Sequence, residues 1–195
     1  MAIILYGSSS GNTTITAPSD AGNNTLTLND RSGTTSNGEI LLFNGGIGGN
    51  SAYTWTGIPT WATYVRLTHY NLSTSGGGGG RHRCRIGYGS LVSSGNYQWQ
   101  TCYGSSCQQA TGDPEFRLTH SDHTDANHYE TGVLHVYRNK SFGWTAEWQA
   151  WDRLSNLSWR MIGICDWADS PIDRISLFTP YGVFDSTSQV QVYYS

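Results

Sequence analysis

Three histidines and two aspartates fall within nine residues, His120-Ser121-Asp122-His123-Thr124-Asp125-Ala126-Asn127-His128. Imidazole and carboxylate together suit several divalent ions, so this run is the chain's best metal-ligating candidate. A solvated loop joining two strands explains it more simply, and neither a metal site nor a cofactor is assigned. His120, His123 and His128 remain the residues to watch, because a threefold axis would turn one histidine per chain into a three-histidine site.

Carboxylates for glycoside hydrolysis must come as a placed pair. Glu147, Asp152, Asp166, Asp169 and Asp173 supply material, but with 14 acidic residues in the chain such pairs arise by chance. The stretch from Asp166 to Asp173 reads as a loop between strands. Serine is abundant, yet no Gly-x-Ser-x-Gly elbow joins a strand to a helix. The glycine run Gly76 to Gly80 ends in Arg81-His82, where a phosphate-cradling loop would end in Gly-Lys-Ser/Thr. It reads as a flexible loop, and the chain is expected not to be an enzyme.

Aromatic side chains are the more promising feature. Trp and Tyr stack on sugar rings and form binding hot spots. Trp144 and Trp148 share one face of an alternating segment and Trp151 leaves it, so one face is not all core. Tyr97, Trp99, Tyr103 and Trp151 are therefore the candidate surface contacts for a glycan. The cluster Arg81-His82-Arg83-Cys84-Arg85 is either a solvated strand start or a patch for a phosphate or acidic glycan.

The remaining composition narrows the partners. Net charge is −3, so non-specific nucleic-acid binding has no electrostatic footprint. The opening apolar run, Met1 to Tyr6, is too short for a signal-peptide core or a membrane span. Cys84, Cys102, Cys107 and Cys165 permit two disulfides, and Cys102 and Cys107 flank a turn-like Tyr-Gly-Ser-Ser. With no secretion signal, reduced thiols are expected. Zinc-type cysteine spacing is missing.

The elements that must carry these residues are strands. Charged residues make up only 13% of the chain and aromatics another 13%, a balance that points to a folded, loop-rich β protein. Val65, Leu67 and His69 alternate with Arg66, Thr68 and Tyr70. Trp144, Ala146, Trp148 and Ala150 alternate with Thr145, Glu147, Gln149 and Trp151, a period of two. Trp159, Met161, Gly163 and Cys165 repeat the pattern, with Ile162 and Ile164 opposite. Further strands are expected near 39–43, 83–87, 97–102, 115–120, 132–138, 174–178 and 189–194. No segment has a good helical period. This predicts an all-β, antiparallel β-sandwich, jelly-roll-like, over residues 51–195. Residues 1–50 are rich in Gly, Ser, Thr and Asn, lack Trp, and hold too few apolar groups for a core of their own. Gly45-Gly46-Ile47-Gly48-Gly49 reads as the linker or flexible loop at that boundary.

Three stretches resemble a module of tailed-phage virion proteins. The first is Ile15-Thr16-Ala17-Pro18 followed by Ala21-Gly22-Asn23-Asn24-Thr25-Leu26-Thr27-Leu28, similar to a short β-motif near the start of phage fibre proteins. The second is Gly57-Ile58-Pro59-Thr60-Trp61-Ala62 and the strand at Val65. The third runs from Ile172-Asp173-Arg174-Ile175-Ser176-Leu177 through Gly182 and Phe184-Asp185 to Val190-Gln191-Val192-Tyr193-Tyr194. It resembles the end of a C-terminal β-sandwich of phage tail and head-fibre proteins. About 81 to 160 shares only spacing and composition with that module, so its binding surface is not carried over.

The resemblance implies a structural virion protein on the particle surface, made in the host cytoplasm. It would be a short fibre or capsid decoration subunit and a homotrimer. It would dock on other virion proteins through residues 1–50 and contact a host surface glycan. Rivals are a free carbohydrate-binding β-sandwich module and, more remotely, a tailspike-like glycan hydrolase.

Overall fold

In the computed structural model, the described residues are 2–6, 12–16, 39–75, 82–119, 129–139, 141, 143–167 and 170–195. The chain divides into two compact units, Met1–Ser32 and Gly33–Ser195. The first contains the antiparallel hairpin of β1 (Ala2–Tyr6) and β2 (Asn12–Thr16). The Thr25–Leu28 motif lies outside the described residues, as do the five glycines and the whole run from His120 to His128.

The second unit is built from antiparallel strands, with no helix among its described residues. Its larger sheet has eight strands. In spatial order they are β3 (Ile40–Gly46), β15 (Gln189–Tyr194), β5 (Tyr64–Leu72), β11 (Glu130–Asn139), β12 (Gly143–Asp152), β13 (Leu157–Cys165), β8 (Tyr97–Tyr103) and β9 (Ser106–Asp113). The smaller sheet runs β10 (Phe116–Arg117), β6 (Arg83–Tyr88), β14 (Arg174–Phe178) and β4 (Ala52–Thr56), with β7 (Ser90–Leu91) paired to β6. The all-β, antiparallel expectation therefore holds.

Period-two patterning decides which side chains meet between the sheets. Val65, Leu67 and His69 of β5 point inward, as do Leu134 and Val136 of β11 and Trp144, Ala146, Trp148 and Ala150 of β12. Trp159, Met161 and Cys165 continue this face on β13. Cys84 and Ile86 of β6 and Ile175 and Leu177 of β14 are buried opposite them. Rings join the layers. Tyr97 meets Phe116 edge-on at 4.7 Å, and Phe43 meets Trp55 at 5.6 Å. Gly163 leaves the space that the Phe116 ring fills, since a Cβ there would stand 2.7 Å from it.

The structure moves the boundary expected at residue 50. Ile40–Gly46 is an edge strand of the large sheet, paired with the C-terminal strand β15. The glycines after it are not a linker. Ile47 is fully buried and its N–H donates to Ser188 O at 3.1 Å, while Gly49 N–H donates to Phe184 O at 2.8 Å. At Gly48 a Cβ would stand 2.5 Å from Ser186 Cα, so the backbones pack too closely for any side chain.

The cysteine expectation is also corrected. Cys102 and Cys107 form a disulfide across the β8–β9 hairpin, on residues directly opposite each other. Cys84 and Cys165 are free and buried. Burial pushes both thiols well above the ordinary range, Cys165 to about 12.

Candidate functional site

The outward face of the large sheet carries the residues that the core does not use. The strand register sets them in rows across the sheet. One row reads Tyr193, Arg66, His135, Glu147, Ile162, Gln100 and Gln109, each opposite the next on seven successive strands. The neighbouring row reads Asn44, Gln191, Thr68, Val133, Gln149, Arg160 and the Cys102–Cys107 bridge. On the other side lie Tyr64, Tyr137, Thr145, Ile164 and Gln98.

The two halves of this face differ in how their polar groups are satisfied. On β5, β11 and β15 the groups bind one another. Glu39 takes two hydrogen bonds from Arg66 Nε, at 2.9 and 3.1 Å, and a third from its Nη2. The Arg66 guanidinium lies 4.3 Å above the Tyr193 ring. Tyr64 Oη and His135 Nδ1 are 2.6 Å apart. Burial, then the Glu39 charge, pushes the Tyr64 hydroxyl up to about 12. Burial and then Arg66 hold His135 below the usual histidine range. The pair is therefore a neutral phenol and a neutral imidazole sharing one hydrogen bond.

On β12, β13, β8 and β9 the polar groups face outward instead. Glu147, Gln149, Arg160, Gln98, Gln100 and Gln109 are all exposed, and their side chains make no hydrogen bond or ion pair to another described residue. Three adjoining depressions run across this half. The first, about 280 Å³, is walled by Trp151, Thr131, Ser158, Val133 and Gln149. The second, about 430 Å³, shares Val133 and Gln149 and adds His135, Tyr137, Glu147 and Arg160. The third, about 410 Å³, holds Gln98, Gln109 and Thr111. Ile162, 63% exposed, stands between the last two and lines both.

Of the four aromatic contacts expected, only Trp151 lies on this surface, 49% exposed. Tyr97 is fully buried; its Oη receives Ile86 N–H at 3.1 Å and donates toward Val92 O at 3.2 Å. Trp99 is buried and donates Nε1–H to Asp113 at 3.1 Å. Tyr103 is half-buried, stacked on Trp159 at 4.2 Å, with its Oη 3.4 Å from Asp152. Tyr97 and Trp99 are corrections: each finds a protein partner, the usual fate of a buried Tyr or Trp. The glutamines between them were the overlooked signal, because Gln98 and Gln100 alternate with Tyr97 and Trp99.

The other candidates resolve differently. Arg83 and Arg85 both bind Glu115, at 2.9 and 2.8 Å, so one carboxylate offsets part of the charge of the basic cluster. The carboxylates do not converge. Glu147 faces outward, while Asp152, on the same strand, is buried and receives Ser155 Oγ–H at 2.7 Å. Asp173 is bound by Arg174, which holds its carboxyl below the ordinary range. His120, His123, His128 and Asp169 lie outside the described residues, and among the described residues no cluster suited to a metal forms.

Two histidines do work inside the sandwich. Trp148 Nε1–H donates to His69 Nε2 at 2.9 Å. An indole only donates, so His69 is neutral and its proton sits on Nδ1, directed at Glu130 O, 3.2 Å away. His82 Nδ1 lies 2.9 Å from the Glu130 carboxylate, with both side chains buried. Desolvation, then the neighbouring His82, lowers His69 to about 3. Compared with protein-family models, with curated proteins and with solved structures, the chain matches none.

Proposed function

We propose that this chain is a structural subunit displayed on the surface of a tailed-phage particle, a short fibre or capsid decoration subunit whose sandwich contacts the host. Its two-unit organisation carries the reading. The small unit, Met1–Ser32, has as its described structure one two-stranded hairpin. Such a hairpin is marginal by itself in water, so it calls for neighbours, either further copies of the chain or other virion proteins. The larger unit has a buried core and an outward face on which the side-chain amides of Gln98, Gln100, Gln109 and Gln149 bond to no other described residue, which suits a subunit exposed on a particle. The three stretches that resemble phage virion proteins support the same reading. No catalytic role is part of the proposal.

A second reading, a free carbohydrate-binding module, draws on the exposed Trp151 and the surrounding amides. Solution mass separates the two. Light scattering at micromolar concentration is expected to give about three times the 21.4 kDa of one chain. A mass of one chain would overturn the homotrimeric subunit and favour the free module.

A further inference from the structure

We propose that the three adjoining depressions on β11, β12, β13, β8 and β9 form one binding track for a neutral oligosaccharide. This names the ligand of the exposed face in the host-contacting reading above and rests on that reading for its biological setting.

The track has a direction. Trp151 walls one end with an indole left 49% exposed by the packing. Glu147, Gln149 and Arg160 project at the middle, and Gln98 and Gln109 at the far end. Its five strands span roughly 19 Å at the usual spacing, which suits a short chain of sugar rings better than one. The indole offers the flat apolar surface against which the C–H face of a pyranose packs.

The polar groups fit hydroxyls. Each glutamine amide both donates and accepts, as each sugar hydroxyl does. Glu147 and Arg160 carry opposite charges, and His135 beside them is neutral, so the track offers no net charge to select an anion or a cation. All of these side chains except that of His135 are exposed and make no hydrogen bond or ion pair to another described residue, so a ligand meets them ready to pair. A second copy of the chain fits less well. The most exposed apolar group, Ile162, is flanked across the sheet by Glu147 and Gln100, whereas charged residues are depleted in protein–protein interface cores.

The test is a glycan array carrying neutral and anionic oligosaccharides. Any hit is then titrated as the soluble oligosaccharide against the full chain, with the indole N–H resonances followed by NMR. A neutral hit is expected, with the Trp151 resonance moving and that of the buried Trp159 staying in place. Trp151→Ala and Glu147→Gln are each expected to weaken binding about tenfold with an unchanged melting temperature. If either variant fails to fold, the wild-type resonance map still decides. Binding only to anionic glycans, no neutral hit, or a saturable neutral hit that leaves Trp151 unmoved overturns the proposal. Solution mass is independent of these results. A trimer that binds no neutral glycan removes the track alone, and a monomer that binds one removes the virion-subunit reading alone.

Discussion

Acid destabilises this fold through His69. Its imidazole stays neutral in the folded chain because it is fully buried and receives the Trp148 indole proton. In the unfolded chain it returns to the ordinary value of 6.5, against about 3 when folded. Between those values the unfolded state binds the extra proton. The contribution is therefore fully present above 6.5 and is lost as pH falls. The slope is about 1.4 kcal/mol per pH unit, so lowering pH from about 6.5 to about 5 removes roughly 2 kcal/mol. Urea unfolding across that range, followed by tryptophan fluorescence, measures the loss. Asp173, whose carboxyl Arg174 holds below the ordinary range, adds an acid-dependent loss of its own. The comparison is therefore with His69→Gln, whose amide oxygen can still accept from Trp148 but takes up no proton. Its stability is expected to fall less steeply by about one proton's slope. The imidazole resonances offer a check that needs no variant. A folded-state His69 that titrates near the ordinary histidine value would refute the reasoning.

Four further outcomes follow from the structure. Trp148→Phe leaves His69 Nε2 buried without its donor and should cost about 1–3 kcal/mol in urea unfolding. Reducing Cys102–Cys107 should destabilise the chain by about 2 kcal/mol, the entropy of a loop this short. A thiol reagent should find no reactive cysteine in the native oxidised protein and two after denaturation, Cys84 and Cys165, which differential scanning and thiol titration check together. Gly48→Ala forces a methyl against the Ser186 backbone and should cost about 1–3 kcal/mol, read from the melting temperature.

Much of the fold was legible because burial imposes alternation. The inward and outward sets of β5, β12 and β13 are those that the period of two assigns, and Arg174–Phe178 and Gln189–Tyr194 begin and end where expected. Strand β9 was not foreseen. Ser106–Asp113 is a mostly polar edge strand, so hardly any apolar alternation marks it. Gly45–Gly49 looks like a linker because a close backbone approach and a flexible loop both favour glycine. The surface site was half legible. Trp151 was found because it broke the face of Trp144 and Trp148. Tyr97 and Trp99 misled because residue type alone does not show that Asp113 and the Ile86 and Val92 backbones lie beside them. Glu147 could be found by type, but only the register reveals Ile162 opposite it and Arg160 lining the same depression.

The place of β15 bears on the order of folding. The last strand in sequence lies between β3, the first strand of this sheet, and β5. During synthesis β3 has no described partner until β15 emerges, so its edge stays open while the rest of the sheet assembles. Pairing so distant in sequence closes slowly, and an open strand edge invites association with other chains. The β11–β12–β13 meander can form early, and the β3–β15–β5 side is the last to be secured.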